Sequence, residues 1–140
     1  MNRISVEILN EKLEVQTCID FVQDETCGGI STFIGTVRNH TNSKNVLKLE
    51  FSAYKSMALK EMQKIAENAI EKFQITKIAI HHFEGTLEIG EIPVIIAVSS
   101  PHRKNCIAAC EFAIDELKNS VPIWKKEYFE DGSIWVNSTP

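Results

Sequence analysis

Three short segments gather cationic and hydrogen-bonding side chains in an otherwise acidic chain: Thr36-Val37-Arg38-Asn39-His40, Ser100-Pro101-His102-Arg103, and Lys118 through Lys125, Lys126 and Glu127. Each falls where a regular element is predicted to end. Loops and helix N-termini aim side chains and backbone N–H groups at one point, so fixed positive charge there suits a small anionic ligand. In the second segment a strand gives way to a helix starting at Pro101, with Ser100 as its N-cap. Unpaired N–H donors would then lie beside Arg103, whose guanidinium can grip a phosphate through two hydrogen bonds. Cations at a helix N-terminus oppose the helix dipole, a small local cost that points to function. The bland alternative is a capped helix with solvated basic residues.

Lys118 and Lys125 lie on either side of Pro122, one near a helix end and one entering a hairpin. A turn there can bring the two amines together. Neighbouring ammonium groups and burial both depress a lysine pKa, which is one way to make lysine basic or nucleophilic near neutrality. Against this, Lys118 also complements a helix C-terminus, and most lysines are solvated.

Other candidates carry less. His102, Cys106 and Cys110 recur every four residues, but three ligands along one straight helix span about 12 Å and cannot share one zinc ion. Cys106 and Cys110 are expected to be core positions. His81 and His82 are adjacent within a strand, so their rings point to opposite faces, one expected packed and one exposed. No G-x-S-x-G, H-E-x-x-H, P-loop or dinucleotide fingerprint occurs, which argues against the commonest hydrolase and nucleotide-dependent classes.

The elements that must hold these residues follow from periodicity. Alternation predicts strands at Ile4–Ile8, Ile30–Val37, Leu47–Phe51, Lys77–Phe83 and Ile92–Val98, with Leu47, Leu49 and Phe51 facing the core. A polar loop is predicted over 38–45 and a tight reversal over 84–91. A short helix is expected over Val15–Val22. A long one is capped by Ser56 and buries Met57, Met62, Ile65, Ala66, Ala69, Ile70 and Phe73. The second long helix runs from Pro101 to Asn119, with Ile107 among its apolar positions, and Pro122 stops it. Trp124–Phe129 and Ser133–Val136 form a hairpin about Asp131-Gly132. The order, roughly β-α-β-β-α-β-β-α-β-β, implies an α+β domain with a mixed or antiparallel sheet, packed helices and a C-terminal hairpin.

At 140 residues the chain fits one domain, residues 1–140, able to bury a real core. A net charge of −4 argues against a general nucleic-acid or membrane binder. There is neither a membrane-length apolar run nor a signal-peptide core at Met1–Val6, so a cytoplasmic protein is expected. Cys18, Cys27, Cys106 and Cys110 form no C-x-x-C pair and read as reduced thiols, mostly buried.

From Ile4 to Val136 the chain resembles the large, catalytic subunit of molybdopterin synthase. The resemblance rests on several blocks in order: Gly28-Gly29, Phe33-Ile34-Gly35-Thr36-Val37-Arg38-Asn39-His40, Leu49-Glu50-Phe51 with Tyr54, Gly85 to Ile96, Ser100-Pro101-His102-Arg103, and Pro122-Ile123-Trp124-Lys125-Lys126-Glu127. It implies an α/β-hammerhead fold and a homodimer with a small ubiquitin-like sulfur-carrier subunit at each end, a heterotetramer. It also implies sulfurtransferase activity in molybdenum cofactor biosynthesis. The carrier's C-terminal Gly-Gly thiocarboxylate would enter a pocket and give two sulfurs to cyclic pyranopterin monophosphate, forming molybdopterin with neither metal nor other cofactor. By position, Lys118 and Lys125 would be catalytic. Thr36, Val37, Arg38, His102, Arg103, Lys126 and Glu127 would bind substrate, although Thr36 stands where some relatives carry lysine. The resemblance further implies a carrier-docking surface, for which the terminal hairpin, Ile123 to Val136, is the expected place.

A second reading belongs to another class: a non-catalytic module that binds a phosphorylated metabolite or a protein tail. The paired lysines discriminate, because Lys118→Ala would then weaken ligand retention without exposing a separate chemical defect.

Overall fold

Helices cover both faces of a four-stranded sheet, and a second sheet, of five strands, completes the fold. A computed structural model of the chain describes residues 2–137. The elements run β1 (Ile4–Leu9), α1 (Val15–Val22), β2 (Gly29–Gly35), β3 (His40–Thr41), β4 (Lys44–Ala53), α2 (Lys55–Phe73), β5 (Lys77–Phe83), β6 (Gly85–Glu88), β7 (Val94–Ser100), α3 (Arg103–Ser120), β8 (Ile123–Phe129) and β9 (Gly132–Asn137). The first sheet has the order β1-β5-β7-β2, with β1 and β5 parallel and the rest antiparallel. The second has the order β3-β4-β8-β9, and β6 also pairs with β4. The α+β class and the C-terminal hairpin expected from the element order are both present.

Strands β5 and β7 sit in the middle of the first sheet, with α1 against one face and α2 and α3 on the other. That is why β7 opens as an apolar run, Val94 to Val98, and is buried at all seven positions, its two closing serines included. Ile78, Ile80, Ile96 and Val98 are fully buried, and each such side chain contributes about 1.5–3 kcal/mol of apolar burial. The same sandwiching buries both His81 and His82, so the expectation that one would be exposed is corrected. They do point to opposite faces: His81 Nε2 and Ser5 Oγ are hydrogen-bonded at 2.9 Å, whereas His82 turns toward the side that α3 covers.

Several boundaries differ from the sequence expectation, each for a local reason. Helix α3 starts at Arg103, with His102 as N-cap, and not at Pro101. Ser100 still ends β7, and its Oγ caps from a distance by accepting the Cys106 N–H at 2.9 Å while donating to the His102 carbonyl. Helix α2 starts at Lys55 behind Tyr54, so Ser56 is not its cap. The polar segment 38–45 is no open loop: Asn42 and Ser43 take consecutive left-handed conformations and close a tight β3–β4 hairpin. Within 84–91 the chain forms β6, and β7 begins only at Val94, after the Pro93 carbonyl accepts the Phe83 N–H.

Three large apolar residues expected in the core lie outside it. A register shift between Val46 and Lys48 turns Leu47 outward, to 47% exposure, while Val46, Leu49 and Phe51 stay buried. Met57 and Ile107 each lie one position off a seam built largely from small residues. That seam is Ala58, Met62, Ile65 and Ala69 on α2, and Cys106, Cys110, Ala113 and Leu117 on α3. Small side chains let each helix approach its neighbours closely. Cys18, Cys106 and Cys110 are buried as expected, and Cys27 is half-buried.

Candidate functional site

Helix α3 runs alongside β2 in the same direction, because β7 is antiparallel to β2 and the chain reverses after Ser100. It therefore carries one group of basic residues to each end of β2. Near the C-terminal end of α3 a cavity of about 340 Å³ opens between the two sheets. Its apolar side chains come from Phe33 and Ile34 on β2, Leu49 and Phe51 on β4, Val94 on β7, and Ile114 and Leu117 on α3. Its polar side chains are Thr36, His82, Lys118 and Lys125. Gly35 belongs to the same wall, and a Cβ there would meet Val94 Cγ1 at 2.6 Å, so glycine fits where β2 passes β7 at the rim.

Lys118 and Lys125, both half-buried, thus face one space, as their placement about Pro122 predicted. Burial pushes the Lys125 ammonium below the ordinary lysine range. Glu127 opposes that shift, and the nearby positive charges of Arg38 and Lys118 add to it. The field of Arg38 at Lys125 places its guanidinium in the same electrostatic group. The segment that carries Arg38 is fixed from both sides. The Val37 N–H donates to the Glu91 carbonyl, the Val37 carbonyl accepts from Gly90, and the Asn39 carbonyl accepts from Val46. Val37 itself is buried, so its backbone and side chain hold the loop in place.

The two residues after Lys125 diverge, since successive strand positions point to opposite faces. Glu127 shares the inner face with Lys125. It is buried to 5% exposure and accepts a 2.8 Å hydrogen bond from Thr41 Oγ1 in a second hollow bounded by β9. Lys126 faces outward, its Nζ lying 5.2 Å from the Tyr128 ring centroid and 5.4 Å from that of Trp135. It stands on the side of the sheet away from the cavity.

His102 and Arg103 are exposed at the other end of α3. Gly28 shapes that corner: its N–H donates to the Ser100 and Pro101 carbonyls, and a Cβ on it would stand 2.7 Å from the Pro101 oxygen. Fifteen residues of helix separate Arg103 from Lys118, a rise of about 22 Å. Within one chain, then, His102 and Arg103 do not share a site with Arg38, Lys118 and Lys125.

Sequence reasoning missed His82 as a cavity residue. Its Nδ1 donates to the Phe83 carbonyl at 2.8 Å, and Phe51 packs edge-on against its ring with centroids 5.3 Å apart. Burial pushes the imidazole pKa from 6.5 down to about 4, partly offset by the Phe83 carbonyl. The folded-state value lies below the unfolded one, so this histidine favours the fold fully above pH 6.5 and progressively less as the pH falls toward 4. From this group alone, urea unfolding is expected to give a stability about 2 kcal/mol lower at pH 5 than at pH 7. In a His82→Asn variant that part of the pH dependence should be absent.

Comparison with known proteins places this arrangement. Residues 8–120 match the family model described as MoaE protein. The chain is 51% identical over 123 residues to molybdopterin synthase catalytic subunit 1 of Aedes aegypti, covering 87% of this chain and 79% of that one. It is 45% identical over 130 residues to the molybdopterin synthase catalytic subunit of Bacillus subtilis, covering 93% and 83%. The crystal structure of molybdopterin synthase from Staphylococcus aureus superimposes with a TM-score of 0.89 at 40% identity, over 97% of this chain and 98% of that one. A Helicobacter pylori structure, a complex of subunits 1 and 2 of molybdopterin-converting factor, shares the fold at 22% identity with a TM-score of 0.76, over 94% and 89%. With matched positions running from β1 to the end of α3 and the same fold around them, the chain belongs to the molybdopterin synthase catalytic-subunit family, enzymes of molybdenum cofactor biosynthesis.

Proposed function

We propose that the chain is a sulfurtransferase that converts cyclic pyranopterin monophosphate to molybdopterin, using two sulfurs from the C-terminal thiocarboxylate of a small ubiquitin-like carrier. The observation that carries this reading is the cavity that Lys118 and Lys125 line, where two cationic side chains stand among apolar ones such as Phe33, Ile114 and Leu117. Such a space suits an extended, side-chain-poor peptide end bearing a negative charge. Partial burial strengthens the pairing of that charge with Lys118. The thiocarboxylate sulfur attacks a substrate carbon and forms the C–S bond as a C–O bond at that carbon breaks, the departing oxygen taking up a proton. Water then takes sulfur's place on the acyl carbon, leaving the carrier as its carboxylate. Lys118 stabilises the charge that moves during these steps. Lys125, held toward its neutral form, positions the substrate and accepts or returns protons.

The substrate's phosphate belongs with Arg38, His102 and Arg103, and two copies of the chain bring these together. Strand β2 is an edge strand, with no partner on its outer side among the described residues, and its Ile30 and Ile34 are each 39% exposed. Pairing two β2 edges antiparallel about a two-fold axis sets the Gly35 end of one beside the Gly29 end of the other. Arg38 and the lysine cavity of one copy then meet His102 and Arg103 of its partner. The carrier docks on the β8–β9 hairpin, whose inner face leads past Glu127 to Lys125.

The direct test is a single turnover with purified chain, cyclic pyranopterin monophosphate and thiocarboxylated carrier. A dithiolene product is expected. Bound carrier without product would leave only the non-catalytic binding reading.

A further inference from the structure

Of the polar side chains around the lysine cavity, His82 is the most deeply buried, and it has no assigned part in the chemistry above. Its surroundings leave little freedom. The Nδ1–H is committed to the Phe83 carbonyl at 2.8 Å, which fixes the tautomer and makes Nε2 an acceptor. Phe51 holds the ring edge-on, and the β5–β7 pairing opposite Val94 fixes its backbone. Among the described residues no hydrogen bond joins Nε2 to a protein donor, and neither lysine donates to it. Burial keeps the ring neutral at physiological pH. A lone pair on a side chain this buried is costly to leave unpaired once water is displaced, so whatever fills the cavity should bring a donor to it.

The two cations and this acceptor together describe a ligand with an anionic terminus and a neighbouring N–H. A peptide carboxy-terminus has that pattern: its terminal acid faces ammonium groups, and its last amide offers an N–H. Resting on the tail-entry reading of the cavity, we propose that His82 Nε2 accepts the N–H of the last peptide bond of the inserted carrier tail and so fixes the depth at which its terminal group meets Lys118 and Lys125. His82 is thus a positioning and specificity residue. It selects a tail whose last peptide bond carries a hydrogen, and it works against a proline or N-alkylated residue at the end.

The test compares binding of two semisynthetic carriers to the intact chain, one ending in Gly-Gly carboxylate and one in Gly-sarcosine, which has a methyl in place of that N–H. Wild type is expected to bind the methylated tail about tenfold more weakly, the loss of one buried hydrogen bond. In His82→Asn the side-chain amide can keep the bond to the Phe83 carbonyl but has nothing at the Nε2 position. That variant should bind the Gly-Gly tail more weakly and discriminate between the two tails by less than about twofold, within the scatter of a lost contact. Equal affinity of wild type for both tails would overturn the role of His82 while leaving tail entry intact. Failure of wild type to bind either carrier would overturn the tail-entry reading, and this inference with it. The wild-type comparison alone decides the matter if His82→Asn does not fold.

Discussion

Lys118→Ala is expected to abolish most product formation in a single turnover, a loss on the order of 100- to 1,000-fold, while the carrier still binds. The magnitude follows from where the ammonium sits. It is half-buried on a cavity wall shared with Phe33, Ile114 and Leu117, where water cannot replace a deleted charge as it would on an open surface. Carrier affinity should survive because a standard protein interface, burying on the order of 1,600 Å², spreads its contacts well beyond one tail. The fold should survive too. Lys118 lies in the last turn of α3, where a cation favours the helix dipole by about 0.3–1 kcal/mol, too little to unfold the domain. Thermal melting and carrier titration of the same sample separate these effects. Normal turnover by Lys118→Ala would sink the assignment.

Two inactive variants, mixed, should recover activity. Arg103→Ala and Lys118→Ala each lose one half of the proposed composite site, since the two residues stand at opposite ends of α3 and, in the proposed dimer, reach one site from different copies. Random reassortment makes half the dimers mixed. In each mixed dimer one site receives both deletions and the other receives neither, so roughly a quarter of wild-type activity is expected. If both residues served a site within one chain, mixing would restore nothing. The assay therefore reads the architecture of the site independently of its chemistry.

Much of this was legible in the chain. Alternation gave most strands, apolar periodicity gave α2 and α3, and Pro122 with the two lysines about it marked the cavity's cationic side. The separation of Arg103 from Lys118 was also within reach, because a helix predicted over Pro101–Asn119 already sets a distance too long for one small ligand. What escaped depended on pairing across the fold. Nothing local shows that Gly85–Glu88 will add to β4, or that an extra residue at Leu47 will turn that side chain outward. His82 was hidden for a similar reason. Period-two geometry says that adjacent histidines diverge, but only the placement of β5 between two helical layers says that both are buried and which one meets the cavity.

The length of α3 sets a rule for how this sequence can change over time. Each residue inserted or removed between Arg103 and Lys118 shifts one end relative to the other by about 1.5 Å and turns it by about 100°. Exposed positions such as Glu111 and Asp115 can change identity freely, whereas their number cannot change. The helix works as a ruler, and along this stretch natural variants should differ by substitution and almost never by gaps.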